Sequence, residues 1–183
     1  CDDPKLQCLG IPFLSVDARI MDIESGAELP DGEEGEIVVH GPQVFQGYWK
    51  RSEASKEALV PIDGKTFLRT GDIGYRDSDG YFFITDRLKR MINASGYKVW
   101  PAEIEALLFH HPAIHEACVI SSKDDYRGET VKAVVVVKPS HTDIQEDEIV
   151  DWCRTRVSSY KVPRIVQFVD ALPKSASGKV MWR

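Results

Sequence analysis

Residues 86–105 read DRLKRMINASGYKVWPAEIE, and the chain changes character within them. Ahead of this stretch lie short alternating runs broken by Gly, Pro and Asp; behind it, apolar residues recur at helical spacing. Pro101 suits the first position of a helix, Ile104, Leu107 and Leu108 supply one apolar face, and Pro112 stops it. The charged crossing Asp86–Arg90 therefore separates two kinds of chain, and the sequence predicts two parts, residues 1–88 and 89–183.

Working back from it, YRDSDGYFFIT (75–85) has strand-like runs on both sides of Asp79-Gly80, a strong hairpin signal. VDARIMD (16–22) and GEIVVHG (35–41) are short strands separated by the turn-rich ESGAELPDGEEG (24–35). Ser52 is placed to cap a short helix through SEASKEAL (52–59). Working forward, ACVIS (117–121) and TVKAVVVVK (130–138) read as strands. DEIVDWCRTRV (147–157) reads as a helix with Ile149, Trp152 and Cys153 on one side, and RIVQFVDAL (164–172) as a last short strand. The expected fold class is α+β: a β-rich subdomain, then a small α+β domain with a short sheet and packed helices.

The chain has 183 residues, 43% of them hydrophobic, which is ordinary for a globular protein. It contains no apolar run of about 18 residues, so no membrane span is expected. The start, CDDPKLQC, lacks the basic and apolar segments of a secretory leader. Cys1, Cys8, Cys118 and Cys153 lack metal-ligand spacing, and no histidine adds one. Four reduced, packed cysteines point to a cytoplasmic protein.

The formal charge is −6, which disfavours a general nucleic-acid binder. It is unevenly spread. Residues 1–88 hold 9 basic and 17 acidic side chains (net −8), and residues 89–183 hold 14 and 12 (net +2). Chance is one explanation; the other is that the second part presents cations to an anionic ligand.

Three stretches carry chemistry. Arg69-Thr70-Gly71-Asp72 follows a strand-like run, and an aspartate there either closes a turn or accepts hydrogen bonds from paired hydroxyls. Arg87 offers a guanidinium fork to ribose or phosphate oxygens, or pairs with Asp86 or Asp72. The terminal PKSASGKVMWR (173–183) places Lys179 after a run of small residues. It is not a Walker A loop, because that motif needs Gly where Pro173 stands and Ser or Thr where Val180 stands.

Taken together, GPQVFQGYWKRSEAS (41–55), RTGD, DRLKRMINASGYKVWPAEIE and PKSASGK resemble, in order, the C-terminal portion of an acyl-CoA synthetase of the adenylate-forming superfamily, of the long-chain fatty-acid ligase kind. Each motif is moderately specific; four in sequence are strong. The resemblance implies activation of a carboxylic acid, expected to be a fatty acid, by ATP to an acyl-adenylate, followed by transfer to coenzyme A. It implies that Asp72 binds the ribose, that Arg87 contacts the nucleotide, and that Lys89 is the hinge about which the small domain turns between steps. A hinge must absorb a large torsional change at one or two residues. Ser95, Gly96 and Tyr97 are implied to line the pantetheine tunnel, though the same residues read equally as a strand-to-strand turn. Lys179 is implied to be the catalytic cation that stabilises the charge developing on the α-phosphate. Lys174 is expected to be solvated.

The family's phosphate loop, acyl pocket and magnesium-binding glutamate segment do not occur in these residues. Magnesium ligands are accordingly expected outside the chain, and the chain is expected to be a piece of a larger enzyme, inactive alone and completed by the remainder of the N-terminal domain. Asn93 stands where luciferase-like members carry Lys, which disfavours light production. Alternatives are an aryl or short-chain acyl-CoA ligase, a peptide-synthetase adenylation domain (whose hinge is commonly Asp), and a non-catalytic AMP-binding or regulatory module.

Overall fold

The computed structural model describes residues 5 and 7–182, so Cys1 lies outside the described residues. The chain divides into two compact units, Cys1–Lys89 and Arg90–Arg183.

The first unit contains β1 (Asp17–Met21), β2 (Gly35–His40), α1 (Ser52–Ala58), β3 (Leu59–Ile62), β4 (Lys65–Arg76) and β5 (Phe82–Arg87), followed by a single 3-10 turn at Leu88–Arg90. The strands form one antiparallel sheet in the order β1-β2-β4-β3, with β5 also on β4. β4 is the long member, and three strands pair with it. The predicted hairpin forms: Asp77 Oδ1 accepts the amides of Asp79 at 3.0 Å and Tyr81 at 2.9 Å, and Gly80 takes the left-handed conformation (φ 85°) that the turn requires. The core is modest. Ile20, Ile37 and Phe82 form one small cluster, and Met21, Val38 and Phe67 another.

One expectation fails in this unit. Ser52 does not cap α1; it is already the first helical residue, Arg51 holds the cap position, and no side chain caps the helix. The stabilising hydroxyl belongs to Ser55, which accepts from the Tyr48 amide at 2.8 Å and donates to the Arg51 carbonyl at 2.9 Å.

The second unit contains β6 (Ile92–Ala94), β7 (Tyr97–Val99), α2 (Pro101–Phe109), β8 (Ile114–Asp124), β9 (Gly128–Val137), α3 (Glu146–Arg154) and β10 (Ile165–Phe168). Its sheet runs β10-β9-β6-β7, with β8 on β9, and is antiparallel except for the β10–β9 pair. Pro101 stands at the start of α2 as the sequence predicts, and Ile104 and Leu108 are wholly buried. Burying one such side chain contributes roughly 1.5–3 kcal/mol. α3 ends at Arg154, three residues before the predicted end at Val157. Its start is fixed by a capping box, in which the Gln145 side chain accepts the Glu148 amide and Glu148 Oε1 accepts the Gln145 amide at 2.9 Å. Both helices seal one continuous core, in which Ile104, Leu108, Ile149 and Cys153 meet Val131 and Val135 of β9. Among the described residues, the mixture of three helices and two sheets is an α+β fold.

Candidate functional site

In the first unit the chemistry gathers where β4 departs from regular pairing. Glu36 of β2 stands opposite Ile73 and Val38 opposite Arg69, so β4 takes four steps where β2 takes two. Thr70-Gly71-Asp72 stands against Ile37 alone, a bulge of two extra residues that lets β4 re-aim a side chain. Gly71 has φ 72°, and a β-carbon there would meet nothing within 4 Å, so backbone conformation rather than space is what glycine supplies. Two contacts from β2 hold the bulge. Glu36, only 3% exposed, accepts the Gly71 amide at 3.1 Å on Oε1 and Arg69 Nε at 2.8 Å on Oε2. Thr70 Oγ1 donates to the Ile37 carbonyl at 2.7 Å and accepts the Asp72 amide at 3.1 Å.

Asp72 pairs in register with Arg87 of β5, and directly opposed residues of an antiparallel pair share a face. A second bulge, between Ile73 and Gly74, sets that register. Arg87 Nε lies 3.0 Å from Asp72 Oδ1, yet Oδ1 is buried and has no hydrogen-bond partner, so the contact is ionic without hydrogen-bond geometry. The structure thus brings Asp72 and Arg87 together, with the aspartate side chain partly exposed and the arginine largely so. The exposed part of a carboxylate so placed can accept a hydroxyl.

Lys89 is exposed and ends the first unit, inside the 3-10 turn Leu88–Arg90. The next residue is tied to the second unit: Arg90 pairs with Glu105 of α2 at 2.5 Å, and Glu105 also accepts the Val119 amide at 2.8 Å.

Ser95 and Gly96 form the two-residue turn between β6 and β7, with φ 56° and 87°. Positive φ at both central positions is the tight-hairpin geometry that matches strand twist. Asn93 Oδ1 accepts the Gly96 amide at 2.9 Å, and Glu129 Oε2 accepts the Asn93 amide at 2.8 Å. Tyr97 stacks on Tyr160 with ring centroids 4.6 Å apart. The turn is therefore structurally complete, while its two central residues remain exposed.

Lys179 sits on a built loop and not on a free tail. Lys174 and Val180 form an antiparallel bridge, the Ser175 amide donates to the Lys179 carbonyl at 2.8 Å, and the Met181 amide donates to the Pro173 carbonyl at 2.8 Å. Leu172 is buried against Cys118 and Val136, with Val180 and Trp182 packed beside them. Lys174 is exposed, as expected, and also pairs with Glu116 of β8 at 2.6 Å. Lys179 itself is exposed on an open depression of about 340 Å³ that Ser175, Val180, Met181 and Trp182 also line.

Among the described residues, no three His, Cys, Asp or Glu side chains assemble into a metal site. No described helix is long and apolar enough to cross a membrane.

Comparison with known proteins then decides the family. Residues 103–179 match the AMP-binding enzyme C-terminal domain, and residues 1–49 match the AMP-binding enzyme family. The chain belongs to the adenylate-forming, AMP-binding enzymes.

Relatives in this family include acid–CoA ligases. A long-chain-fatty-acid–CoA ligase of Bacillus subtilis is 45% identical over 96% of the chain, which covers 30% of that protein. A feruloyl-CoA synthase of Amycolatopsis is 44% identical over 97% of the chain, covering 35% of its length. Among solved structures, ATP-bound MatB from Rhodopseudomonas palustris aligns over 95% of the chain and 34% of its own, at 37% identity and a TM-score of 0.85. The chain thus spans about a third of the length of these relatives.

Sequence reasoning missed Glu36, Thr70 as a hydrogen-bonding hub, and Glu116. Only Glu36 left a signal, as an acidic residue inside the β-branched run GEIVVH.

Proposed function

We propose that this chain is the C-terminal part of an acid–CoA ligase that makes an acyl-adenylate from a carboxylic acid and ATP and passes the acyl group to coenzyme A. Residues 1–88 are then the β-rich end of the large adenylation domain, and 89–183 its mobile C-terminal domain. The observation that carries the proposal is the Asp72–Arg87 pair. A partly exposed carboxylate sits beside an exposed guanidinium on a bulge clamped from β2, an arrangement that supports reading Asp72 as a ribose contact.

In this reading Asp72 accepts the ribose hydroxyls and Arg87 contacts the nucleotide. Lys179 projects its ammonium from the anchored loop toward the charge that builds on the α-phosphate when the carboxylate attacks. It also holds two mutually repelling anions in line. Lys89 is the residue about which the small domain turns, and the exposed Ser95-Gly96 turn with Tyr97 borders the pantetheine arm. Glycine permits close approach of that arm to backbone.

A fatty acid is the substrate proposed first, supported by the fatty-acid ligase among the relatives. An aryl acid stands close behind, since a feruloyl-CoA synthase is nearly as similar over almost the whole chain. The three described cysteines are free, in keeping with work in the cytoplasm.

The test incubates the full-length protein with ATP, magnesium and coenzyme A against a panel of fatty and aryl acids. Acyl-CoA and AMP in equal amounts are expected. ADP as product, or no thioester from any acid, would contradict the reading. The 183-residue chain alone is expected to yield no acyl-CoA above a protein-free control.

A further inference from the structure

The carboxylate of Glu36 lies within β2, in the first unit, and its two oxygens do different things. Oε1 takes the amide of Gly71, and Oε2 takes Arg69 through both Nε at 2.8 Å and a terminal nitrogen at 2.6 Å. Both partners flank or belong to the Thr70-Gly71-Asp72 bulge. The side chain is 4% exposed, so water cannot readily replace either contact.

That arrangement has a chemical signature. Every partner of Glu36 in the bulge is a donor, so both of its oxygens serve as acceptors. Gly71 enters the left-handed region (φ 72°) without steric cost, and because glycine has so many accessible conformations, the contact on its amide helps select this one. Asp72 is the next residue, and its own amide is fixed by Thr70 Oγ1. The direction in which Asp72 projects its carboxylate is therefore set from β2, across the ladder.

We propose that Glu36 is a positioning residue for nucleotide binding: it does not touch the nucleotide but fixes the bulge that aims Asp72 at it. The proposal rests on the reading of Asp72 as a ribose contact. It predicts a sharp effect from an isosteric change. In Glu36→Gln one side-chain atom becomes a donor, so either Gly71 or Arg69 faces a donor instead of an acceptor, with no change in volume.

AMP binding to the full-length protein, measured by calorimetry, tests this in four forms: unaltered, Glu36→Gln, Asp72→Ala and the double variant. Glu36→Gln is expected to weaken AMP about tenfold, the scale of one charged hydrogen bond. The double variant is expected to bind no more weakly than Asp72→Ala alone, because a residue acting only through Asp72 has nothing left to act on. Multiplying effects would mean that Glu36 supports the structure generally, and would overturn the proposal. Unchanged affinity in Glu36→Gln with loss in Asp72→Ala would overturn it while sparing the Asp72 reading. No loss in Asp72→Ala would remove that reading and this proposal with it. Should Glu36→Gln fail to fold, Glu36→Asp keeps the charge and shortens the reach. It is expected to weaken AMP severalfold, and AMP affinity at the unaltered level would count against the proposal.

Discussion

Asp72 and Arg87 face each other across the β4–β5 ladder, with Arg87 Nε 3.0 Å from Asp72 Oδ1. The arginine side chain is 66% exposed and the aspartate 19%, so the pair is half in water. Solvent screens such a pair, which makes it a weak stabiliser and leaves the guanidinium available to a ligand. Replacing Arg87 by Leu is expected to cost less than about 1 kcal/mol in denaturant unfolding. The same change is expected to weaken AMP binding to the full-length protein about tenfold, equivalent to one lost charged contact. Equal AMP affinity in the two proteins would leave Arg87 a surface pair and nothing more.

Anchoring of the terminal loop is a packing effect before it is an electrostatic one. Leu172 is buried against Cys118 and Val136, whereas the Lys174–Glu116 pair is partly exposed. Leu172→Ala is expected to destabilise the second unit by about 2–5 kcal/mol, and Glu116→Gln by less than about 1 kcal/mol. Hydrogen exchange at the Ser175 and Gly178 amides should accelerate strongly in the first variant and little in the second. The reverse order would show that the ion pair, not the core contact, holds the loop.

Much of this architecture was legible because its signals are local. Asp79-Gly80, Pro101 and Ser95-Gly96 each dictate a backbone geometry within a few residues, and each element formed where the sequence placed it. The candidate site was legible only through resemblance, since nothing local separates a ribose-binding Asp72 from one that closes a turn. What holds the site was not legible. Glu36 meets Gly71 from 35 positions away through the register of β2 on β4, and Lys174 meets Glu116 from 58 in the loop that Leu172 packs against Cys118. Ser52 shows the opposite failure. Its local signal was sound in type, but Ser55, one turn later, makes the bonds that tie the helix start to Tyr48.

His111 makes the second unit sensitive to acid. The ring is buried, meets Trp152 edge to face at 4.7 Å, and accepts the Ala113 amide on Nδ1 at 3.2 Å. Burial holds its pKa below the ordinary 6.5; the Glu148 carboxylate opposes that, while His141, Arg156 and Lys138 add to it. The folded state therefore keeps His111 neutral at pH values where the unfolded chain binds a proton. The resulting stability is full above about pH 6.5 and is lost as pH falls below it. The melting temperature of the chain is expected to drop between pH 7 and 5, and His111→Asn, which retains an acceptor for Ala113, should flatten that slope. An unchanged slope would place the titration elsewhere. Asp17, held down to about 2 mainly by its hydrogen bond to Arg19, acts only below about pH 4 and does not confuse the test.

Burial pushes the Cys118 thiol up to about 11, with the Glu105 carboxylate adding to it, and pushes Cys153 up to about 11 as well. At pH 8 about one thousandth of either is thiolate, and the thiolate is the reactive form. Iodoacetamide at pH 8 is expected to leave both unmodified in the folded protein and to alkylate both in urea, as peptide mapping by mass spectrometry would resolve. Rapid labelling of Cys153 without denaturant would contradict the packing of α3.

The central claim is that Lys179 serves adenylation from an anchored loop, and separating the two half-reactions tests it most directly. In the full-length protein carrying Lys179→Ala, ATP–pyrophosphate exchange reports the first step, and thioester formation from supplied acyl-adenylate and coenzyme A reports the second. Exchange is expected to fall by about 10²–10³ while thioester formation persists. If exchange survives the substitution, Lys179 is not the adenylation cation, and PKSASGK is a surface loop.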